Sequence, residues 1–299
     1  MDFKEKVSVI IPTYKRADFL ARAINSVLNQ SYENLEVLVI DDNNPESLFR
    51  SETENIMKQF SENQKVIYIQ HSFNMNGSVA RNTGIKKSSG DLIAFLDDDN
   101  YFYKDKIRKQ VDFLNNHKNY KAVYCGLIDS NNKIKYANRS GNLMFEQLSG
   151  SQIIDTNTIL IKKSVVLEFE GWDERLKRNQ DVSFMIRFFS KDYEIGCLDE
   201  VLVYYDLEDR SNFPNSTQSE FNMYRFLQLY KEEINLIKRK NPLKAKLIYL
   251  YRYRQIFFSH IKSKKIKKSF IIFLKMLNID ISLTAKLLIN SIKDKIIRV

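Results

Sequence analysis

Short apolar runs alternate with segments of helical spacing through the first half of the chain. Val7–Ile11 is apolar enough to read as a buried strand stopped by Pro12. Phe19, Leu20, Ala23, Ile24, Val27 and Leu28 then recur at the spacing of one helix face, with Asp18 placed to cap it. Val37–Ile40, Val66–Ile69 and Leu92–Leu96 repeat the strand pattern. The intervals 46–60, Gly77–Lys87 and Lys104–His117 repeat the helical one, the second entered through a glycine. Residues 122–205 are more mixed: Ala122–Tyr124 and Val201–Tyr205 read as strands, and Val182–Phe189 as a helix starting just after Asp181. From about residue 220 the chain reads as helical, interrupted at Pro242.

This alternation predicts an α/β, Rossmann-like domain with a mostly parallel central sheet flanked by helices, over residues 1–220. Residues 221–299 form a basic helical C-terminal appendage. In parallel sheets, ligands bind beyond the carboxyl ends of the strands. Three of the four strands end in polar clusters: Pro12-Thr13-Tyr14, Asp41-Asp42-Asn43 and Asp97-Asp98-Asp99. Parallel strands would bring all three to one edge.

Charge changes the picture of the second half. Residues 231–299 hold 18 Lys/Arg against 4 Asp/Glu, a net of +14; with +10 over the whole chain, the first 230 residues stand at −4. The body is acidic and the tail basic, and no nucleic-acid recognition motif is present. Cys125 and Cys197 fit no metal or redox spacing and read as reduced thiols. Neither a signal-type leader nor a run of about 18 apolar residues is visible, so the expectation is a cytoplasmic protein, with a peripheral position on the inner membrane face open to it.

Three consecutive carboxylates after a buried strand repel one another unless a cation neutralises them. All-oxygen donors favour Mg²⁺ or Mn²⁺, which join protein carboxylates to substrate phosphates. No Gly-rich phosphate loop of the Walker or dinucleotide type occurs. A diphosphate would therefore need a metal and side-chain cations, among which Arg81 is a candidate.

In order and spacing, VSVIIPTY (Val7–Tyr14), AINSVLNQ (Ala23–Gln30), LEVLVIDDN (Leu35–Asn43), GSVARNTG (Gly77–Gly84), GDLIAFLDDDN (Gly90–Asn100), GWDERL (Gly171–Leu176) and QDVSF (Gln180–Phe184) resemble the family 2 glycosyltransferases of GT-A fold. The resemblance covers about residues 5–210. It implies an inverting transfer of a hexose or N-acetylhexosamine from a UDP-sugar to a hydroxyl of a surface-glycan acceptor: a polysaccharide, a lipid-linked glycan or a glycoprotein glycan. It implies that Pro12 and Tyr14 pack around the base, that Asp42 accepts from uracil, and that Arg81 lies near base and diphosphate. Asp97 would reach ribose or metal, Asp99 the metal, and Asp98 would sit with them in the donor site. Asp181 matches the catalytic base, although its place at a helix start also suits an N-cap. Trp172 is either an apolar wall for the acceptor sugar or core. The sequence departs from the family at Asp42-Asn43-Asn44-Pro45, where Asp-Gly-Ser is usual, and at Gln180, where Glu is common. It also lacks the late histidine, whose charge Arg210 could partly replace. His71, His117 and His260 fall at no carried-over position. The alternative reading is a non-catalytic GT-A partner subunit that docks an active transferase.

Between residues 244 and 299, Tyr249-Leu250-Tyr251, Ile256-Phe257-Phe258 and Phe270–Leu274 alternate with lysines. This suits amphipathic helices on an anionic membrane surface. It equally suits a helical subdomain packed on itself, or a surface that docks a protein or the acceptor.

Overall fold

In a computed structural model of the chain, residues 5–207 and 214–296 are described, side chains through 291. The elements in order are β1 (Val7–Thr13), α1 (Ala17–Leu28), β2 (Leu35–Asp41), α2 (Leu48–Met57), β3 (Val66–Gln70), α3 (Gly77–Lys87), β4 (Leu92–Phe95), β5 (Tyr101–Phe102), α4 (Lys106–Asn116), β6 (Ala122–Asp129), β7 (Ile134–Lys135), α5 (Met144–Ser149), β8 (Ile159–Lys162), α6 (Lys163–Glu168), α7 (Gln180–Phe189) and β9 (Ile195–Tyr205). Five helices follow: α8 (Ser216–Leu229), α9 (Lys231–Lys240), α10 (Pro242–Lys262), α11 (Ile266–Ile279) and α12 (Ile281–Ile296).

The strands form one sheet in the order β3-β2-β1-β4-β8-β6-β9-β5, with β7 paired to β6. β3, β2, β1 and β4 are parallel, as their alternation with helices requires. Beyond β4 the sheet becomes mixed: β8 runs antiparallel to both β4 and β6, while β9 is parallel to β6. β1, β2 and β4 are almost wholly buried because both faces are covered. Val7, Val9 and Ile11 share one core with Leu20, Ile24 and Val27 of α1 and with Ile107, Val111 and Leu114 of α4. Ile10 points the other way, against α3, where a Cβ on Gly84 would lie 2.4 Å from Ile10 Cγ2. Only glycine lets α3 approach that closely.

Two local expectations are corrected. Asp18 lies in the first turn of α1 rather than capping it; the N-cap is Arg16, without a side-chain bond. Asp181 likewise lies inside α7, whose N-cap is Asn179 in the left-handed region, so capping does not account for Asp181.

The chain divides into two units. The first contains residues 5–143 and 154–207, with the whole sheet; the second contains residues 144–153 and 214–296. The helical unit thus starts before residue 221 and takes in α5 from the middle of the chain. Arg252 of α10 explains that recruitment. It donates through Nε to Leu148 O (2.7 Å) and through Nη2 to Gln147 O (2.7 Å), satisfying carbonyls at the end of α5. Its guanidinium also lies 4.2 Å from the Phe226 ring centroid. Ile248, Leu250, Ile272 and Met276 supply this unit with its own core. Among the described residues, no helix is long and apolar enough to cross a membrane.

Candidate active site

Thr13 pairs with Asp41 and Ile10 with Phe95 in parallel register, so the polar clusters after β1, β2 and β4 share one sheet edge as expected. What the individual side chains do there differs from residue to residue.

Asp41 is fully buried, accepts from Tyr68 Oη, Asn43 N and Asn43 Nδ2, and pairs with Arg50 Nε at 3.0 Å. Burial raises its carboxyl pKa, against the pull of these donors. Asp42 is the organiser of the loop into α3. Its Oδ1 meets His71 Nδ1 (2.8 Å) and Met75 N (2.8 Å); its Oδ2 meets Asn74 Nδ2 (2.7 Å) and Asn76 N (2.9 Å). A carboxylate has about four acceptor positions, and all are engaged. A uracil contact through Asp42, as the resemblance implies, would have to share or displace one of these four partners. Asn76, held by Asp42, in turn accepts from Ser78 N and Val79 N and caps α3.

α3 carries two residues toward the acidic edge. Asn82 clamps the 171–174 segment, accepting from Trp172 N (2.9 Å) and donating to Trp172 O (2.9 Å) and Glu174 Oε1 (2.8 Å). Arg81, the residue before it, is buried and donates to Asp97 Oδ1 (2.6 Å) and Gln180 Oε1 (3.3 Å). Its guanidinium lies 4.7 Å from the Trp172 ring centroid. Trp172 is 2% exposed, stacks on Phe184 at 4.4 Å and meets Phe95 edge-on. Of the two readings of Trp172, its burial fits core, and its ring lies under the Arg81 guanidinium. Gln180, where the family commonly has Glu, accepts from the other nitrogen of that arginine.

The acid after β4 is held from the 155–158 turn. Asn157 Oδ1 accepts from Asp97 N (2.6 Å), and Asn157 Nδ2 donates to Asp97 Oδ2 (3.1 Å) and Asp155 Oδ1 (2.8 Å). Thr156 Oγ1 donates to Asp181 Oδ1. Arg16 pairs with Asp99 and lies 3.8 Å from Asp98 Oδ1, and Arg22 donates to the Asp99 carbonyl. Asp155, Thr156, Asn157, Arg16 and Arg22 were not legible as site residues; the 155–158 turn belongs to the mixed part of the sheet, where periodicity is weakest.

Five aspartates, Asp97, Asp98, Asp99, Asp155 and Asp181, thus gather around two arginines, Arg81 and Arg16. Burial, and then mutual repulsion, raises the carboxyl pKa of Asp98, Asp99, Asp155 and Asp181. Burial and then the Asp99 carboxylate push Asp98 up to about 7. Burial and Asp97 push Asp99 up to about 6, against Arg16. Asp155 rises to about 6 through burial and Asp181. Asp181 is raised by burial and Asp97, with Arg81 and Thr156 opposing. Such a cluster favours additional positive charge. Among the described residues, no three His, Cys, Asp or Glu groups come together in a metal-holding arrangement. The donor set fits instead the one- or two-carboxylate kind that takes Mg²⁺ or Mn²⁺ together with substrate phosphates.

Tyr14 and Pro12 lie at the same edge. Tyr14 is exposed, with Lys15 Nζ 5.0 Å from its ring centroid and 5.4 Å from that of Phe49. Arg210 lies outside the described residues. His71 is a buried partner of Asp42 and Thr83, His260 a buried partner of Glu220, and His117 is exposed.

A parallel half-sheet joined to a mixed half and flanked by helices is the fold of the GT-A class of glycosyltransferases. The chain belongs to glycosyl transferase family 2, whose family model matches residues 8–195. An uncharacterized glycosyltransferase of Rickettsia felis is 36% identical over 201 residues, covering 66% of this chain and 32% of that protein. The chain thus spans about a third of that relative's length. A putative teichuronic acid biosynthesis glycosyltransferase, TuaG of Bacillus subtilis, is 25% identical over 70% of this chain and 82% of its own. Among solved structures, S. aureus TarS 1-349 in complex with UDP-GlcNAc superposes with a TM-score of 0.67 at 18% identity, covering 92% of this chain and 79% of that one. That likeness shows the fold.

Proposed function

We propose that this chain is an inverting, metal-dependent hexosyl- or N-acetylhexosaminyltransferase that uses a UDP-sugar and delivers the sugar to a hydroxyl of a surface-glycan acceptor. The observation that carries this reading is Asp181, a carboxylate with a raised pKa, fixed by Thr156 and set electrostatically against Arg81 and Asp97. A general base works best with a pKa drawn toward the working pH, and such help contributes about 10²–10⁴-fold. Asp181 takes the acceptor hydroxyl proton as the nucleotide departs from the opposite side of the anomeric carbon. Asp99 and Asp97 would hold a divalent cation, whose chemistry when bound is to neutralise charge on the diphosphate. Arg81 supplies a fixed positive charge at the same place, rigid because Trp172, Asp97 and Gln180 confine it. With Asp42 engaged in its own loop, Tyr14 and Pro12 are left to receive the base. The uridine preference draws support from the fold shared with TarS, solved with UDP and with UDP-GlcNAc, and the surface-glycan acceptor from the likeness to TuaG. Screening nucleotide-sugars, UDP-sugars among them, for Mn²⁺- or Mg²⁺-dependent release of the nucleoside diphosphate tests the donor and the metal. Release from one UDP-sugar, lost with a chelator, is expected. Release only from another nucleotide's sugar would overturn the donor assignment. No release from any donor would favour the non-catalytic partner.

A further inference from the structure

The helical unit buries one side of α11 and leaves the opposite side apolar as well. Ser269, Ile272 and Met276 face its core. Phe270, Ile271 and Leu274, on the far side at helical spacing, are 58%, 52% and 48% exposed. Ile266 in the first turn and Ile281 at the start of α12 extend the strip, at 63% and 71%. A surface helix ordinarily turns polar residues outward, and one that is apolar all round requires cover on both sides. The surroundings are cationic. Lys262, Lys264 and Lys267 stand at the α10–α11 junction and on the outward face, within a stretch of 18 Lys/Arg against 4 Asp/Glu over residues 231–299. The nearby acids are internally paired: Glu220 with His260 at 3.0 Å and Asp280 with Lys246 at 3.0 Å.

An apolar strip rimmed by lysines fits an anionic bilayer surface. Apolar side chains enter the boundary between headgroups and acyl chains while ammonium groups stay among the phosphates. A second copy fits less well, since it would bring the same positive rim against itself. We propose that the outward face of α11, with Ile281, docks this protein on an anionic phospholipid surface, with Phe270, Ile271 and Leu274 as the inserted residues and Lys262, Lys264 and Lys267 as the headgroup contacts. The helix lies on the membrane and does not cross it.

Co-sedimentation of the full chain with phosphatidylcholine vesicles, with and without phosphatidylglycerol, tests the proposal. Binding is expected only with phosphatidylglycerol, and is expected to weaken with salt. F270E/L274E is expected to lower partitioning on the order of 100-fold, with unchanged circular dichroism, melting and UDP-sugar turnover. Replacing Lys262, Lys264 and Lys267 by glutamine is expected to weaken binding to phosphatidylglycerol vesicles. Equal binding to neutral vesicles, binding to neither, or undiminished binding by F270E/L274E would overturn it. So would a dimer in solution that this double variant dissolves, which would assign the face to a second copy.

Discussion

Asn157 holds Asp97 at both its backbone and its carboxylate. The Asn157 carboxamide accepts from Asp97 N at 2.6 Å and donates to Asp97 Oδ2 at 3.1 Å, and the same Nδ2 reaches Asp155 at 2.8 Å. One neutral side chain therefore sets the position of the acid after β4 and bridges it to a second acid. Asn157→Ala is expected to lower donor turnover by about 10–100-fold, the range for partners that orient metal-binding groups. The apparent metal requirement should rise with it. Steady-state assays across Mn²⁺ concentrations check this, and an unchanged metal dependence would separate Asn157 from the donor site.

Asp181→Asn is expected to remove transfer while leaving the fold intact. Thr156→Val is the subtler change. The Thr156 hydroxyl favours the charged form of Asp181, so its loss raises the pKa of the base further. A base must be deprotonated to act, and activity falls as pH drops through its pKa. The acid limb of the pH–rate profile in Thr156→Val should therefore move to higher pH, with activity recovering on the alkaline side.

Asp42 offers a test that separates a loop organiser from a base contact. Asp42→Asn replaces one oxygen by a donor where only donors are met, which should cost about 2–4 kcal/mol of stability. The loss should be seen in urea unfolding without any nucleotide. An unchanged midpoint together with a lost preference for uridine would support the direct base contact.

Glu36 ties the start of the sheet together, accepting from Lys6 Nζ, Ser8 Oγ, Ser89 N and Ser89 Oγ. Burial alone would raise its pKa, but these donors outweigh it and bring it from 4.5 to about 2. A carboxylate depressed on folding stabilises the protein above its unfolded pKa, and that contribution fades as pH falls through the folded value. Glu36→Gln should therefore cost up to about 3 kcal/mol at neutral pH, with the difference from wild type shrinking between pH 4.5 and 2. Urea titrations at several pH values measure it.

Gly84→Ala should destabilise the first unit despite the better helix propensity of alanine. The new methyl would lie 2.4 Å from buried Ile10 Cγ2. Overpacking typically costs about 1–3 kcal/mol, against a propensity gain of roughly 1 kcal/mol. Gly84→Val, which gains less from propensity and adds more bulk against Ile10, should be worse. Chemical denaturation ranks the three proteins.

The sequence by itself determined the α/β class, the parallel strands β1–β4, the span of α3, and the convergence of acidic strand ends on one edge. These follow from local periodicity: a strand buried on both faces must be continuously apolar, and parallel neighbours must share an edge. Which acids stay open and which are engaged was decided only by the tertiary structure. Asp42 and Asp97 stand at similar strand ends, yet one is saturated by the loop at 71–76 while the other meets Arg81 and Asn157. Trp172 is buried because Phe95 and Phe184 close on it from different elements. Asp155 and Asn157 enter the site because β8 returns antiparallel beside β4. The α11 face is legible as apolar in sequence, but only packing distinguishes the side that α11 buries from the side it leaves in water. Each of these depends on contacts between residues far apart in the chain, and no local spacing encodes them.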